Sequence, residues 1–349
     1  MKDLFHACAD LLEYGEDVAM VTIVNQEGSA PRTAGSKMLV RRDGSIVGTI
    51  GGGIFEARAI AMAHEVFRSG QAMLGSFRFS SSDVSGMDMI CGGNAEIFLD
   101  LLRSCHPENA AVCKAVCDVR RHDLDACLIT KIVTGSGSED LVKLALVARG
   151  RKPVGMLLAE EDREALEHSA GGRFPRRVTL GETEHLVEPV HYPGTVYIFG
   201  AGHISQKLAQ LTHLVDFQTV VLDDREEYAN GKRFPQAERI IVPENMGTCM
   251  RDLRITRNGY IVIVTRGHAY DMVVLEQALQ TEAGYIGMIG SRKKREDIYR
   301  HLRQSGIRED ALARVHSPIG IDIEAETPEE IAVSIAGELI QARARLIDG

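Results

Sequence analysis

Thr195-Val-Tyr-Ile-Phe-Gly-Ala-Gly-His-Ile-Ser205 is the stretch whose reading decides the fold. Its first five residues form an apolar run of β-formers. Gly200 and Gly202 interrupt that run, and Ile204, Leu208, Leu211 and Val215 then recur at helical spacing. A second apolar run, Gln218-Thr-Val-Val-Leu222, closes on Asp223 and Asp224. Strand, glycine turn, helix, strand and closing acid make up the order of the opening βαβ unit of a dinucleotide-binding domain.

Each residue type has a physical reason. Gly200 permits a tight turn, and Gly202 lets a phosphate approach backbone N–H groups at the positive end of the helix. An acid ending the second strand can accept from ribose hydroxyls. Ser205 stands where the pattern usually has a third glycine, and it is small enough for close helix packing. The same turn could also serve a doubly wound fold purely as structure.

Downstream, Arg239-Ile-Ile-Val242, Tyr260-Ile-Val-Ile-Val264 and Tyr285-Ile-Gly-Met-Ile289 read as buried strands. They alternate with helical periodicity over 271–279, 294–302 and 328–346. Such alternation implies a parallel sheet covered on both sides, with ligands at the carboxyl ends of its strands. Polar clusters fall at those ends: Thr265-Arg-Gly-His-Ala-Tyr-Asp271, Gly290-Ser-Arg-Lys293 and His316-Ser-Pro-Ile-Gly-Ile-Asp322. His203, Arg266, His268, Asp271 and Arg292 are therefore expected around the glycine turn, as a setting for an anionic, nucleotide-like ligand.

Upstream, a helix over 4–14 leads into the apolar strand Val18–Val24 and a loop rich in turn residues. A hairpin, 37–40 with 46–50, delivers the chain to Gly51-Gly52-Gly53 and a helix from Ile54 to Ser69 that Gly70 stops. Three glycines before a helix can expose N–H groups to an anion, or can simply form a turn. The small-residue loop from Ser80 to Gly93 lies between strand-like segments 72–79 and 95–102, and it carries Cys91-Gly-Gly, a cysteine that nothing crowds. Farther on, 107–121 is helix-like, with Cys113 and Cys117 one turn apart, more consistent with core thiols than with a metal pair. Ala126–Val133 echoes Val18–Val24, a hint of a duplicated unit. Pro189 and Pro193 mark 182–194 as the expected linker.

The 349 residues suffice for two or three domains, and the net charge of -9 argues against a nucleic-acid backbone as partner. Seven scattered cysteines without a C-x-x-C pair suggest neither a disulfide framework nor a zinc ribbon. No run reaches membrane-spanning length and the first residues lack a signal-peptide pattern, so a cytoplasmic protein is expected.

Taken together, Gly28-Ser-Ala-Pro-Arg32, Gly51-Gly-Gly53 with Glu56, Cys91-Gly-Gly, Phe199-Gly-Ala-Gly-His203, Asp223-Asp-Arg225, Thr265-Arg-Gly-His268, Met288-Ile-Gly-Ser-Arg292 and His316-Ser-Pro-Ile-Gly320 with Glu326-Thr-Pro-Glu-Glu330 resemble the xanthine dehydrogenase accessory proteins, the XdhC/CoxI family. The resemblance covers nearly the whole chain; 105–188 carries little of it. It implies an α/β protein with a C-terminal Rossmann-like parallel sheet bearing helices on both faces and an N-terminal mixed α+β domain. The divisions would be 1–104, a connecting α+β region 105–190, and 191–349.

The resemblance further implies a maturation chaperone for molybdenum hydroxylases. Such a chaperone binds the molybdenum cofactor, as molybdopterin or its cytosine dinucleotide form, supports its sulfuration by a cysteine desulfurase, and passes it to the apo molybdenum hydroxylase. On that view Gly51, Gly52, Gly53, Gly200, Gly202, His203, Asp223, Asp224, Arg266, His268, Ser291 and Arg292 contact the cofactor, and Cys91 relays sulfur or meets molybdenum. A homodimer is expected by analogy. The rival readings are an NAD(P)-dependent oxidoreductase, with His203 and His268 as its only acid-base candidates, and a nucleotide-sensing regulator.

Overall fold

The structure, a computed structural model, describes residues 4–28, 32–79, 93–138, 141–172 and 174–348. The chain divides into two compact units, Met1–Tyr192 and Pro193–Gly349. Among the described residues no helix is long and apolar enough to cross a membrane.

The first unit is built twice over. Its opening half runs α1 (Leu4–Glu13), β1 (Val18–Glu27), β2 (Lys37–Val40), β3 (Ile46–Gly48), α2 (Gly53–Ser69), β4 (Met73–Phe79) and β5 (Gly93–Leu102). The second half repeats that order as α3 (Pro107–Arg121), β6 (Ala126–Ile132), β7 (Leu144–Ala148), β8 (Val154–Gly155), α4 (Glu160–Ser169), β9 (Arg176–Leu180) and β10 (Thr183–Val190). The strand orders match, β3-β2-β1-β5-β4 in one sheet and β8-β7-β6-β10-β9 in the other. Register matches as well: Met20 faces Asp100 and Thr22 faces Phe98, while Leu128 faces Glu188 and Thr130 faces Leu186.

The two halves share one core, in which Cys8, Leu12, Val18 and Met20 pack with Val112, Val116, Leu128 and Leu146. They also exchange charge. Lys37 Nζ lies 2.7 Å from Glu188 Oε2, and Lys143 Nζ lies 2.8 Å from Asp100 Oδ1, all four side chains being buried. The expected linker 182–194 is mostly β10, which pairs β6 through Pro189 and Val190. Its other neighbour, β9, begins opposite Val187, so the proline sits where that side of the strand is unpaired.

The second unit holds a six-stranded parallel sheet in the order β13-β12-β11-β14-β15-β16. The strands are β11 (Thr195–Phe199), β12 (Gln218–Leu222), β13 (Arg239–Ile241), β14 (Gly259–Ile263), β15 (Tyr285–Met288) and β16 (Val315–His316). Its helices are α5 (His203–Leu214), α6 (His268–Ala278), α7 (Arg292–Gln304), α8 (Glu309–Leu312) and α9 (Pro328–Asp348).

Residues alternate between two cores. Leu222, Ile261, Ile263, Ile286 and Met288 face one layer with Val274, Leu275 and Ile298 of α6 and α7. Val196, Ile198, Val221 and Val262 face the other with Leu208 of α5 and Ile335 and Leu339 of α9. Burial on both faces explains why these strands read as unbroken apolar runs. From β11 the chain first winds outward to β12 and β13, then returns to β14 on the other side. The switch point thus falls between β11 and β14, where open α/β sheets bind ligands.

Candidate functional site

At the switch point β11, β12 and β14 end level, with Phe199 opposite both Leu222 and Ile263. Gly200 follows with φ +110°, and a Cβ there would stand 2.4 Å from the Val264 carbonyl oxygen. Both the backbone conformation and the closeness of β14 therefore demand glycine at this position. The Ser205 hydroxyl, fully buried, donates to the Gly200 carbonyl at 2.6 Å. The residue that departs from the three-glycine pattern thus braces the turn.

Gly202 and Gly267 occupy the N-cap positions of α5 and α6, and no side-chain cap bonds to either helix start. A Cβ on Gly202 or Gly267 would meet nothing within 4 Å. These two helices follow β11 and β14, so two uncapped N-termini with open space before them flank the switch point. Orphan N–H groups and the helix dipole make such ends suited to an anion. The third start on this edge is different. The Ser291 hydroxyl accepts from the Lys294 N–H at 3.3 Å and so caps α7. His203, His268 and Arg292 are the exposed first residues of α5, α6 and α7.

The charged groups expected here are largely paired with one another. Asp223 accepts from the Ala201 N–H at 2.8 Å and from both Nε and Nη2 of Arg225 at 2.8 and 2.9 Å. Burial pushes its carboxyl up, but the Arg225 fork and the Ala201 N–H outweigh burial and hold it below the ordinary range. Arg266 Nη2 bonds Asp224 and the Tyr270 hydroxyl, each at 3.0 Å. Asp271, fully buried, pairs with Lys294 and accepts from the Thr265 hydroxyl at 2.6 Å, tying the loop after β14 to α7. Asp271 therefore acts as a strut.

Family models match parts of both units. Residues 11–78 match the XdhC and CoxI family, and residues 196–339 match the XdhC Rossmann domain. The chain belongs to the XdhC and CoxI family.

Relatives of this XdhC/CoxI chain include a probable xanthine dehydrogenase subunit from Bacillus subtilis, 27% identical, the alignment spanning 98% of each chain. "Molybdenum cofactor insertion chaperone PaoD" of Escherichia coli is 20% identical over 98% of this chain and 88% of its own. "Uncharacterized protein YqeB" of Escherichia coli is 26% identical over 98% of this chain, which spans only 46% of YqeB's length. A solved structure described as a xanthine dehydrogenase from Bacillus halodurans superposes with a TM-score of 0.78 at 25% identity, covering 99% of this chain and 96% of that one.

In the first unit of this XdhC/CoxI chain, Gly51, Gly52 and Gly53 all have left-handed φ, at 134°, 82° and 61°. An internal carboxylate already serves the turn: Glu56 accepts from the Ile50 and Gly51 N–H groups at 3.0 and 3.2 Å and from the Thr49 hydroxyl. Cys91 lies outside the described residues. Cys113 and Cys117 are buried. Among the described residues no group of three His, Cys, Asp or Glu side chains could hold a metal ion.

Sequence reasoning missed two groups, one beside the turn and one bonded to the outer strands β15 and β16. Arg225 was in view as part of Asp223-Asp-Arg225, but its spacing does not reveal a fork bent back on Asp223. Glu338, in mid-α9, accepts from the Tyr285 hydroxyl and the Gly320 N–H at 2.7 and 2.6 Å and bonds His316 Nδ1 at 2.6 Å. Nothing in its local sequence signals that role.

Proposed function

We propose that this chain is a maturation chaperone that binds the molybdenum cofactor and delivers it to an apo molybdenum hydroxylase of the xanthine dehydrogenase or aldehyde oxidoreductase type. The observation that carries the reading is the pair of uncapped, glycine-led helix N-termini at the switch point. They fit a phosphorylated ligand, and family membership supplies the pterin as the phosphorylated group to consider. The name of the Bacillus subtilis relative supports the xanthine dehydrogenase class of client, and that of PaoD supports insertion of the molybdenum cofactor.

On this reading Gly200 and Gly202 form the cradle for the phosphate part, with the N–H groups of α5 as donors. His203, His268 and Arg292 border it, and Arg266 and Asp224 close its side as a neutral pair. The described residues address the organic, anionic part of the cofactor. Contact with molybdenum or relayed sulfur is assigned to Cys91, with a cysteine desulfurase as sulfur source, and the N-terminal glycines 51–53 remain second candidates. The cofactor would supply the metal chemistry of the client; this chain would bind, shield and release it.

Titration of the full chain with intact molybdenum cofactor, read by pterin fluorescence, tests the proposal. Saturable binding is expected, with loss of at least about tenfold in affinity in Gly202→Val. Absence of any pterin association, or substrate-dependent hydride transfer from NADH or NADPH, would replace the chaperone with the oxidoreductase reading. For Cys91, Cys91→Ser should leave folding intact and impair client activation; unchanged activation would remove the residue from the site.

A further inference from the structure

In a dinucleotide-binding domain the acid that closes the second strand accepts hydrogen bonds from the ribose diol. A carboxylate offers about four lone-pair positions. In this chain all of them are spent. Asp223 Oδ1 accepts from the Arg225 backbone N–H at 3.1 Å and from Arg225 Nε at 2.8 Å. Oδ2 accepts from Arg225 Nη2 at 2.9 Å and from the Ala201 N–H at 2.8 Å. The Asp223 side chain is 5% exposed, so little of it faces a ligand.

The guanidinium is itself held in place. Its carbon sits 3.9 Å from the centroid of the Tyr228 ring, close enough for a cation–π contact. Arg233 lies 5.1 Å from the same ring and donates to the Ala201 carbonyl at 3.1 Å and to Gln206 Oε1 at 3.2 Å. The segment after β12 therefore folds back onto the glycine turn and is fastened there at both ends by arginines. A ribose could reach Asp223 only by displacing an arginine that is bonded twice and stacked on a ring.

We propose that Arg225 is a specificity-determining residue that fills the ribose-reading position of the Rossmann-like domain, so that the domain holds a ligand by its phosphate alone and rejects NADH and NADPH, whose adenosine ribose finds no acceptor at Asp223. This inference stands on the geometry of the turn, and it holds whether or not the pterin binds.

Calorimetric titration of the full chain and of Arg225→Ser with NADH and with NADPH tests it. The unaltered chain should bind both more weakly than about 1 mM, and Arg225→Ser, its fold checked by circular dichroism, should bind NADH at least about tenfold more tightly. Binding of either nucleotide by the unaltered chain below about 50 µM overturns the proposal, and so does a folded Arg225→Ser with no gain. Should Arg225→Ser fail to fold, Arg225→Gln, which keeps one amide donor toward Asp223, takes its place, and the unaltered chain still decides on its own. Failure of the pterin titration would leave these results standing, so the two proposals fail separately.

Discussion

Lys143 Nζ stands 2.8 Å from Asp100 Oδ1 across the boundary between the two halves of the first unit, with both side chains buried. Lys37 and Glu188 make the reciprocal contact, each half giving a lysine to the other's central sheet. Removing one partner leaves a buried charge without its counterion. Lys143→Met is expected to lower unfolding stability by ~3–5 kcal/mol, while Lys143→Met with Asp100→Leu recovers most of it. Denaturant melts of both variants check this; a single variant within about 1 kcal/mol of the parent would refute it.

The two glycines of the switch-point turn should behave oppositely. Gly200→Ala forces a Cβ against the Val264 carbonyl at φ +110°, and a loss of about 2 kcal/mol or more is expected. At Gly202 the added methyl enters open space, so Gly202→Ala should remain within about 1 kcal/mol of the parent. Thermal melts compared side by side would show the contrast or its absence.

Asp223 gives a pH dependence with a definite sign. Its native carboxyl is held below the ordinary value, so its contribution is present above about pH 4 and is lost as pH falls through the depressed native value. Acid unfolding should therefore include an Asp223 component. Asp223→Asn should be less stable at neutral pH and show a shallower decline below about pH 4, as followed by circular dichroism. An unchanged acid limb would show that the carboxylate contributes nothing.

At the alkaline end, burial pushes Tyr260 up to about 12, with Arg343 opposing, and burial together with the Glu338 charge pushes Tyr285 well above the ordinary tyrosine value. Stability from keeping these phenols neutral is present below the ordinary tyrosine value of about 10 and is lost as pH rises through the native values. Of the eight tyrosines, these two should ionise only with unfolding in an ultraviolet difference titration. Tyr260→Phe should remove one of the late-ionising phenols. Complete ionisation of the folded chain near pH ~10 would contradict the burial.

The parallel sheet was legible because strands buried on both faces leave unbroken apolar runs, as in Tyr260–Val264, and because Gly200 and Gly202 punctuate them. The edge strand Val315–His316 was too short to leave a pattern. The segment 182–194 looked like a linker because Pro189 normally interrupts a ladder; that β9 starts only opposite Val187 is a tertiary fact that composition does not record. The duplication showed only as a faint echo of Val18–Val24 in Ala126–Val133, since equal strand order requires equal burial pattern and not equal residues.

At the site, the sequence identified which residues lie at the carboxyl edge but not which of them bond each other. Asp223, Asp271 and Glu56 read as ligand contacts or helix-start acids by position. Their neighbours Arg225, Lys294 and the Ile50 and Gly51 N–H groups turn them inward. Pairing of this kind depends on side-chain direction, which residue spacing does not encode.

The crossed lysine contacts carry a consequence for any attempt to dissect the molecule. Neither sheet of the N-terminal unit can be expressed as a standalone module without baring the shared core and parting one cation and one anion from their counterions. A cut in the chain between Leu102 and Pro107 should accordingly yield two fragments that stay associated, each acting as the other's counterion until denaturant separates them.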